Sequence, residues 1–346
     1  MTNNNPAKQS IQLAHGSGGK ASHELIETLF GKVFANPILD QREDQATMLL
    51  KEFSDQGDRI AMTTDSYVIT PLFFPGGDIG KLAVCGTVND LCVGGAIPKY
   101  LSCGFILEEG FSMAELEKIT ASMQTTAKLA GVEIVTGDTK VVTKGAVDKV
   151  FINTTGIGAI PAARNLSSTL SRPGDKIICN GFIGDHGAAV MAAREDLGLT
   201  SELKSDCAPL NDLSELMLNA CPDIRCMRDA TRGGVATVIN ELAQASGYAM
   251  QLDESLLPVR DSVRGLCEIL GLEPLYLANE GKLIAIVPAE SAEELVVAMQ
   301  EHPLGIDTKI IGEVLSNDNG RVSIRSTFGG NRLLDMLPGE QLPRIC

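Results

Sequence analysis

Thr136-Gly137-Asp138-Thr139-Lys140 ends the short apolar run Val132 to Val135 with a glycine, a carboxylate, two hydroxyls and a cation. Alone, such a stretch reads as a turn, with Asp138 in an Asx-turn. It gains weight because its composition recurs along the chain. His15-Gly16-Ser17-Gly18-Gly19-Lys20, Thr63-Thr64-Asp65-Ser66, Gly86-Thr87-Val88-Asn89-Asp90, Gly184-Asp185-His186-Gly187, Arg228-Asp229-Ala230-Thr231-Arg232-Gly233-Gly234 and Asn279-Glu280-Gly281 follow the same recipe. Each reads as a polar loop that sets a charged or hydroxyl residue at a strand end. Glycines let backbone N–H groups approach an anion, and aspartates supply the hard oxygen ligands that Mg²⁺ requires. Neither the P-loop pattern nor Gly-x-Gly-x-x-Gly occurs, so an ordinary nucleotide-binding scaffold is not the source.

The segments between these stretches predict an α+β chain in two halves. Ser112-Met113-Ala114-Glu115 is a capping box, followed by Leu116, Ile119, Met123, Ala127 and Ala130 at helical spacing and stopped by Gly131. Apolar runs at 59–62, 101–107, 132–135 and 150–160 predict strands, hence a mixed sheet with helices on one side. Ser167, Ser168, Ser171, Pro173 and Gly174 cluster as linker chemistry, giving an N-terminal domain over 1–168 and a C-terminal α+β domain over 169–335. In the second half the pattern predicts strands at 176–179, 283–287 and near Ile310, helices over 187–197 and 235–245, and a capping box at Ser291 to Glu294.

Composition narrows the function. Of 346 residues 44% are hydrophobic, and 29 Lys and Arg against 44 Asp and Glu leave a net charge of −15, which disfavours nucleic acid and anionic membranes as partners. No apolar run approaches a membrane span, and Thr2-Asn3-Asn4-Asn5 does not resemble a signal peptide. Nine cysteines without a C-x-x-C pair fit reduced thiols in a cytoplasm, with Cys85, Cys92, Cys103, Cys179 and Cys267 as core fillers.

The chain ends Leu342-Pro343-Arg344-Ile345-Cys346, a thiol beside the terminal carboxylate. Pro343 favours an extended course, so the segment 336–346 is expected to be a mobile tail. From Pro338 to Cys346 it would reach on the order of 25 Å.

With these stretches together the chain resembles the ATP-binding superfamily of aminoimidazole ribonucleotide synthetase, selenophosphate synthetase and thiamine monophosphate kinase, and within it the HypE family of hydrogenase maturation proteins. The terminal Pro343-Arg344-Ile345-Cys346 discriminates among the branches, and Ser17, where selenophosphate synthetases carry a reactive cysteine or selenocysteine, disfavours selenium chemistry. The resemblance implies a PurM-like fold, pairing of N-terminal sheets across a homodimer, and ATP with Mg²⁺. It implies a carbamoyl group received on Cys346 from the carbamoyltransferase HypF. ATP-dependent dehydration would turn that group into a cyano group, and a HypC–HypD complex would take it up as a ligand for the iron of NiFe hydrogenase.

Roles follow within that resemblance. Asp65, Asp90 and Asp138 are expected to hold Mg²⁺ and the triphosphate, with Asn89, Gly18, Gly19 and Thr139 assisting; Asp44 is a further ligand or a solvated surface charge. Lys140, two residues beyond Asp138, either steadies the transferring phosphate or polarises the carbamoyl oxygen, or else simply pairs with Asp138. Glu280, beside the apolar Leu275 to Leu277, is the expected base for the carbamoyl nitrogen. His186 is the other candidate base or a structural hydrogen-bonding group. Thr231 and Arg232 orient phosphate or tail, His15 sits in a glycine-rich lid, and His23 and His302 are surface residues. Two alternatives stay open: an ATP-binding scaffold, and a small-molecule kinase of the same superfamily.

Overall fold

The computed structural model describes residues 10–194, 202–317, 319–337 and 339. Cys346 and the segment 340–346, like the expected helix end at Leu197, lie outside the described residues.

The N-terminal half begins with short helices α1 (Lys20–Leu25), α2 (Gly31–Val33) and α3 (Leu50–Ser54). Its sheet has the order β1-β6-β4-β5, built from β1 (Arg59–Tyr67), β4 (Ile97–Glu108), β5 (Glu133–Val142) and β6 (Val150–Ile160). Only β4 and β5 run parallel. A small hairpin of β2 (Phe73–Phe74) and β3 (Gly77–Asp78) leads into α4 (Ile79–Val93). α4 and α5 (Met113–Leu129) cover one face of the sheet.

α5 forms where the capping box predicts it. Ser112 Oγ accepts the Glu115 N–H at 3.4 Å, and Leu116, Ile119, Met123 and Ala127 are fully buried, the three larger side chains contributing roughly 1.5–3 kcal/mol each. α4 departs from expectation, because Gly86 to Asp90 is helix rather than loop. Asp78 caps it, accepting the N–H groups of Gly80 at 2.8 Å and Lys81 at 3.1 Å. α4 also lies tight against β1: a Cβ on Gly86 would stand 2.4 Å from Tyr67 Oη. Thr63 to Ser66 and Thr136 to Lys140 likewise lie inside β1 and β5, not in loops beyond them.

The C-terminal half carries a seven-stranded sheet in the order β13-β12-β9-β11-β7-β10-β8. Its strands are β7 (Lys176–Cys179), β8 (Cys226–Asp229), β9 (Met250–Asp253), β10 (Leu283–Val287), β11 (Lys309–Val314), β12 (Val322–Arg325) and β13 (Asn331–Leu333). Helices α6 (Asp185–Ala192), α7 (Asn211–Ala220), α8 (Gly234–Ser246), α9 (Asp261–Leu270) and α10 (Ala289–Gln300) surround it. Every residue of β10 is buried, because Ile284 and Ile286 face the α8 side while Leu283, Ala285 and Val287 face α7 and α10. A strand covered on both faces reads as a continuous apolar run, which is why it was legible. α10 starts at Ala289 after Pro288, so Ser291 lies within the helix and not at its cap. Among the described residues no helix is long and apolar enough to cross a membrane.

Candidate active site

The predicted residues fall into two places. The first is a cleft of about 750 Å³ between the N-terminal arm and the edge strand β5. His15, Gly18, Asp44, Thr136, Gly137, Asp138, Thr139 and Lys140 all line it, and Phe30, Phe34, Ile38 and Phe105 supply apolar surface. Asp138 accepts the Thr139 N–H at 2.8 Å and pairs with Lys140 Nζ at 3.1 Å. Both side chains are about two-thirds exposed, so this pairing, foreseen as one of two readings of Lys140, leaves the ammonium accessible to a phosphate. His15 Nδ1 accepts the Gln12 N–H at 2.9 Å, which fixes the imidazole against its own turn. Gly19 caps α1 just behind the cleft.

The second place is the seam between the halves, where Asp65, Asp90, Asp229 and Glu280 approach one another. Asp90, on α4, accepts Thr63 Oγ1–H at 2.7 Å, and Arg232 reaches Asp65 at 3.7 Å from the turn before α8. Thr231 occupies the same turn, its carbonyl accepting the Gly234 N–H at 2.9 Å. Burial, then the neighbouring Asp65, holds the Asp90 carboxyl above the usual range, with the bond from Thr63 opposing. Burial, then Asp90 and Asp65, pushes Asp229 up to about 7. Glu280 is 6% exposed and accepts no hydrogen bond at its carboxyl group among the described residues. Burial first, then Cys207, Asp206, Asp229 and Asp65, raises it well above an ordinary glutamate.

Strand geometry keeps these two places apart. Asp65 pairs with Thr154 of β6, which pairs with Cys103 of β4, which pairs with Gly137 of β5. Thr154 and Cys103 are buried on the α4 side, so Asp65 faces that side too. Asp138 belongs to the next row, with Gly104, Asn153 and Ser66, and therefore points to the opposite face. Three strand spacings of ~4.8 Å separate the rows' ends by about 14 Å. Asp65 and Asp90 thus share a face that Asp138 does not, and among the described residues no three His, Cys, Asp or Glu side chains converge as a ready metal cage.

Two other predicted residues sit in structural positions. Asn89 is buried, its amide donating to the carbonyls of Ala208 at 3.1 Å and Glu280 at 3.2 Å and accepting the Leu210 N–H at 2.8 Å. His186 is fully buried, Nδ1 2.8 Å from Ser205 Oγ and the ring edge-on to Phe74. Burial lowers it to about 4, so its imidazole is neutral. Sequence reading passed over Asp206, whose carboxylate touches the Glu280 turn; nothing in its neighbours in sequence marks it.

Two family models cover most of the chain: AIR synthase related protein, N-terminal domain, over 42–160 and the corresponding C-terminal domain over 172–325. The carbamoyl dehydratase HypE of Azotobacter vinelandii is 54% identical over 337 residues, 97% of each chain. The chain belongs to the HypE family. A crystal structure of HypE in complex with ATP superposes with a TM-score of 0.90 at 50% identity, covering 97% of this chain and 99% of that one. HypE in a HypE–HypF complex gives a TM-score of 0.78 at 47% identity over 90% of this chain and 99% of that one. The expected resemblance to HypE and the PurM-like α+β fold with two AIR-synthase-related domains therefore hold.

Proposed function

We propose that this protein, like its HypE relatives, is an ATP-dependent carbamoyl dehydratase that converts a carbamoyl group on its own Cys346 into a cyano group for hydrogenase maturation. The observation that carries the reading is Glu280: a buried residue at the seam whose carboxyl accepts no hydrogen bond among the described residues, in a chain 54% identical to a carbamoyl dehydratase along almost its whole length. The atoms balance simply. The thiocarbamate oxygen is a poor leaving group, so it takes the terminal phosphoryl group of ATP; the nitrogen then loses both protons and the C–O bond breaks, leaving S–C≡N, ADP and inorganic phosphate. Glu280 accepts one of those protons. A raised carboxyl is protonated at rest, so it must be emptied before it acts, and positive charge arriving beside Asp65 and Asp90 favours that.

The cleft at β5 suits ATP, with the base against Phe30 and Phe105 and the phosphates towards Gly18, Asp138 and Lys140. Asp65 and Asp90 fit Mg²⁺, which needs only one or two carboxylates, and a cation held there would favour the ionised carboxylates of the seam. Asp138, on the other face, lines the cleft together with Asp44 and lies apart from the Asp65 and Asp90 pair. Arg232 and Thr231 are suited to orient phosphate or tail. The domain limits near residue 168 and the tail from residue 336 remain part of this reading. The uncovered face of the N-terminal sheet, with Ile60, Met62 and Ile106 exposed, suits a second copy and hence a homodimer. HypF is proposed as carbamoyl donor and a HypC–HypD complex as acceptor.

The test is the acceptor itself. Protein incubated with carbamoyl donor, HypF and Mg-ATP is expected to carry a cyano adduct on its C-terminal peptide, and Cys346→Ala none. Undiminished turnover of ATP against a small-molecule acceptor in Cys346→Ala would favour the kinase reading.

A further inference from the structure

The Glu280 peptide unit is held from both sides. Its N–H donates to Asp206 Oδ1 at 3.0 Å, the next N–H, of Gly281, donates to Asp206 Oδ2 at 3.2 Å, and its carbonyl accepts from Asn89 Nδ2 at 3.2 Å. Asp206 is 3% exposed at its side chain and also pairs with Lys282 Nζ at 3.1 Å. Gly281 is required for this approach, since a Cβ there would stand 2.0 Å from the Asp206 carbonyl oxygen. The Asp206 segment is itself anchored. His186 Nδ1 meets Ser205 Oγ, which accepts the Cys207 N–H at 3.1 Å, and Ser205 N–H donates to the Pro75 carbonyl at 2.8 Å.

A carboxylate that receives two consecutive backbone N–H groups and an ammonium fixes a turn far more rigidly than one solvent-exposed bond would. We propose that Asp206 is the positioning residue for Glu280: with Asn89 opposite, it clamps the Glu280 peptide between the two halves of the chain and aims the carboxyl group into the acidic seam. The proposal rests on Glu280 being the base. It also gives His186 its place, as the anchor of the Asp206 segment rather than a proton acceptor. Charge follows geometry: Asp206 stands beside Glu280 with Cys207, Asp229 and Asp65, Tyr67 is also near Glu280, and Lys282 and His186 face Asp206. Burial raises the Asp206 carboxyl, but Lys282 and the Glu280 N–H draw it down and keep it ionised. Its negative charge is one reason the Glu280 carboxyl is raised.

The experiment uses the full-length protein carbamoylated on Cys346, mixed once with Mg-ATP, with loss of water followed by mass spectrometry across a pH series. Asp206→Asn is expected to slow dehydration on the order of 10- to 100-fold through misplacement of the base, to leave ATP affinity within about twofold, and to move the acid limb of the rate profile towards lower pH. The double variant Asp206→Asn with Lys282→Gln removes the ammonium left unpaired and guards against simple misfolding; it is expected to be slow and shifted in the same direction. An unchanged rate in both variants, or a uniform loss without movement of the limb, overturns the positioning role. Full activity in Glu280→Gln would instead remove the reading beneath it, and is recognised independently of either Asp206 variant.

Discussion

The cleft at β5 and the seam at Glu280 are both lined with acidic residues, yet they solve opposite problems. In the cleft, charges of both signs stand in or near water: Asp138 beside Lys140, and Glu27 beside Arg42 at 2.6 Å. At the seam, acidic side chains are crowded together and largely buried, with Arg232, 77% exposed at its side chain, paired to Asp65. In the proposed reading the first arrangement serves to bind ATP and the second to hold protons. A protein that must activate an oxygen with phosphate and then strip two protons from nitrogen has use for both.

The largest expected break in this comparison is at Glu280. Glu280→Gln should lower dehydration by roughly 10²- to 10⁴-fold, the usual reach of general base catalysis, while ATP binding measured by calorimetry stays unchanged. If ATP binding fell with it, the two places would not be separable. Next, Lys140→Met should reduce turnover by at least about tenfold through lost phosphate stabilisation, yet change folding stability by less than about 0.5 kcal/mol, because the Asp138 pair is exposed. Equal losses in denaturant midpoint and activity would make Lys140 structural.

Smaller effects come from protons stored at the seam. Asp229 has a folded value of about 7 against an ordinary 3.8, so between those values the native state binds more protons than the unfolded one and stability falls as pH rises. Asp229→Asn should therefore raise the thermal midpoint at pH 8 by roughly 2–5 °C and change it little below pH 4. His186 runs the other way. Its value of about 4 against 6.5 means the unfolded state takes up the proton first, so stability falls as pH drops through that window. Replacing His186 with Gln should flatten that acid limb of the stability curve; a curve of unchanged shape would contradict its burial as a neutral ring.

What was legible in the sequence divides along the same physical line. α5 could be read because one face is buried and a cap marks its start. α4 could not: thirteen of its fifteen residues are buried, which erases the amphipathic period and leaves Gly86 and Asn89 looking like loop residues. Glu280 and the cleft residues were legible as polar breaks in apolar runs. Their distribution over two faces was not, because it depends on strand register across β1, β6, β4 and β5. Asp206 was invisible because its meaning is the pair of N–H groups it receives from residues more than seventy positions away.

The most direct test of the account is intact-protein mass spectrometry of the Cys346-carbamoylated protein before and after Mg-ATP. The account predicts loss of one water, located on the C-terminal peptide and absent in Glu280→Gln. A carbamoyl adduct that survives while ATP is hydrolysed would contradict it.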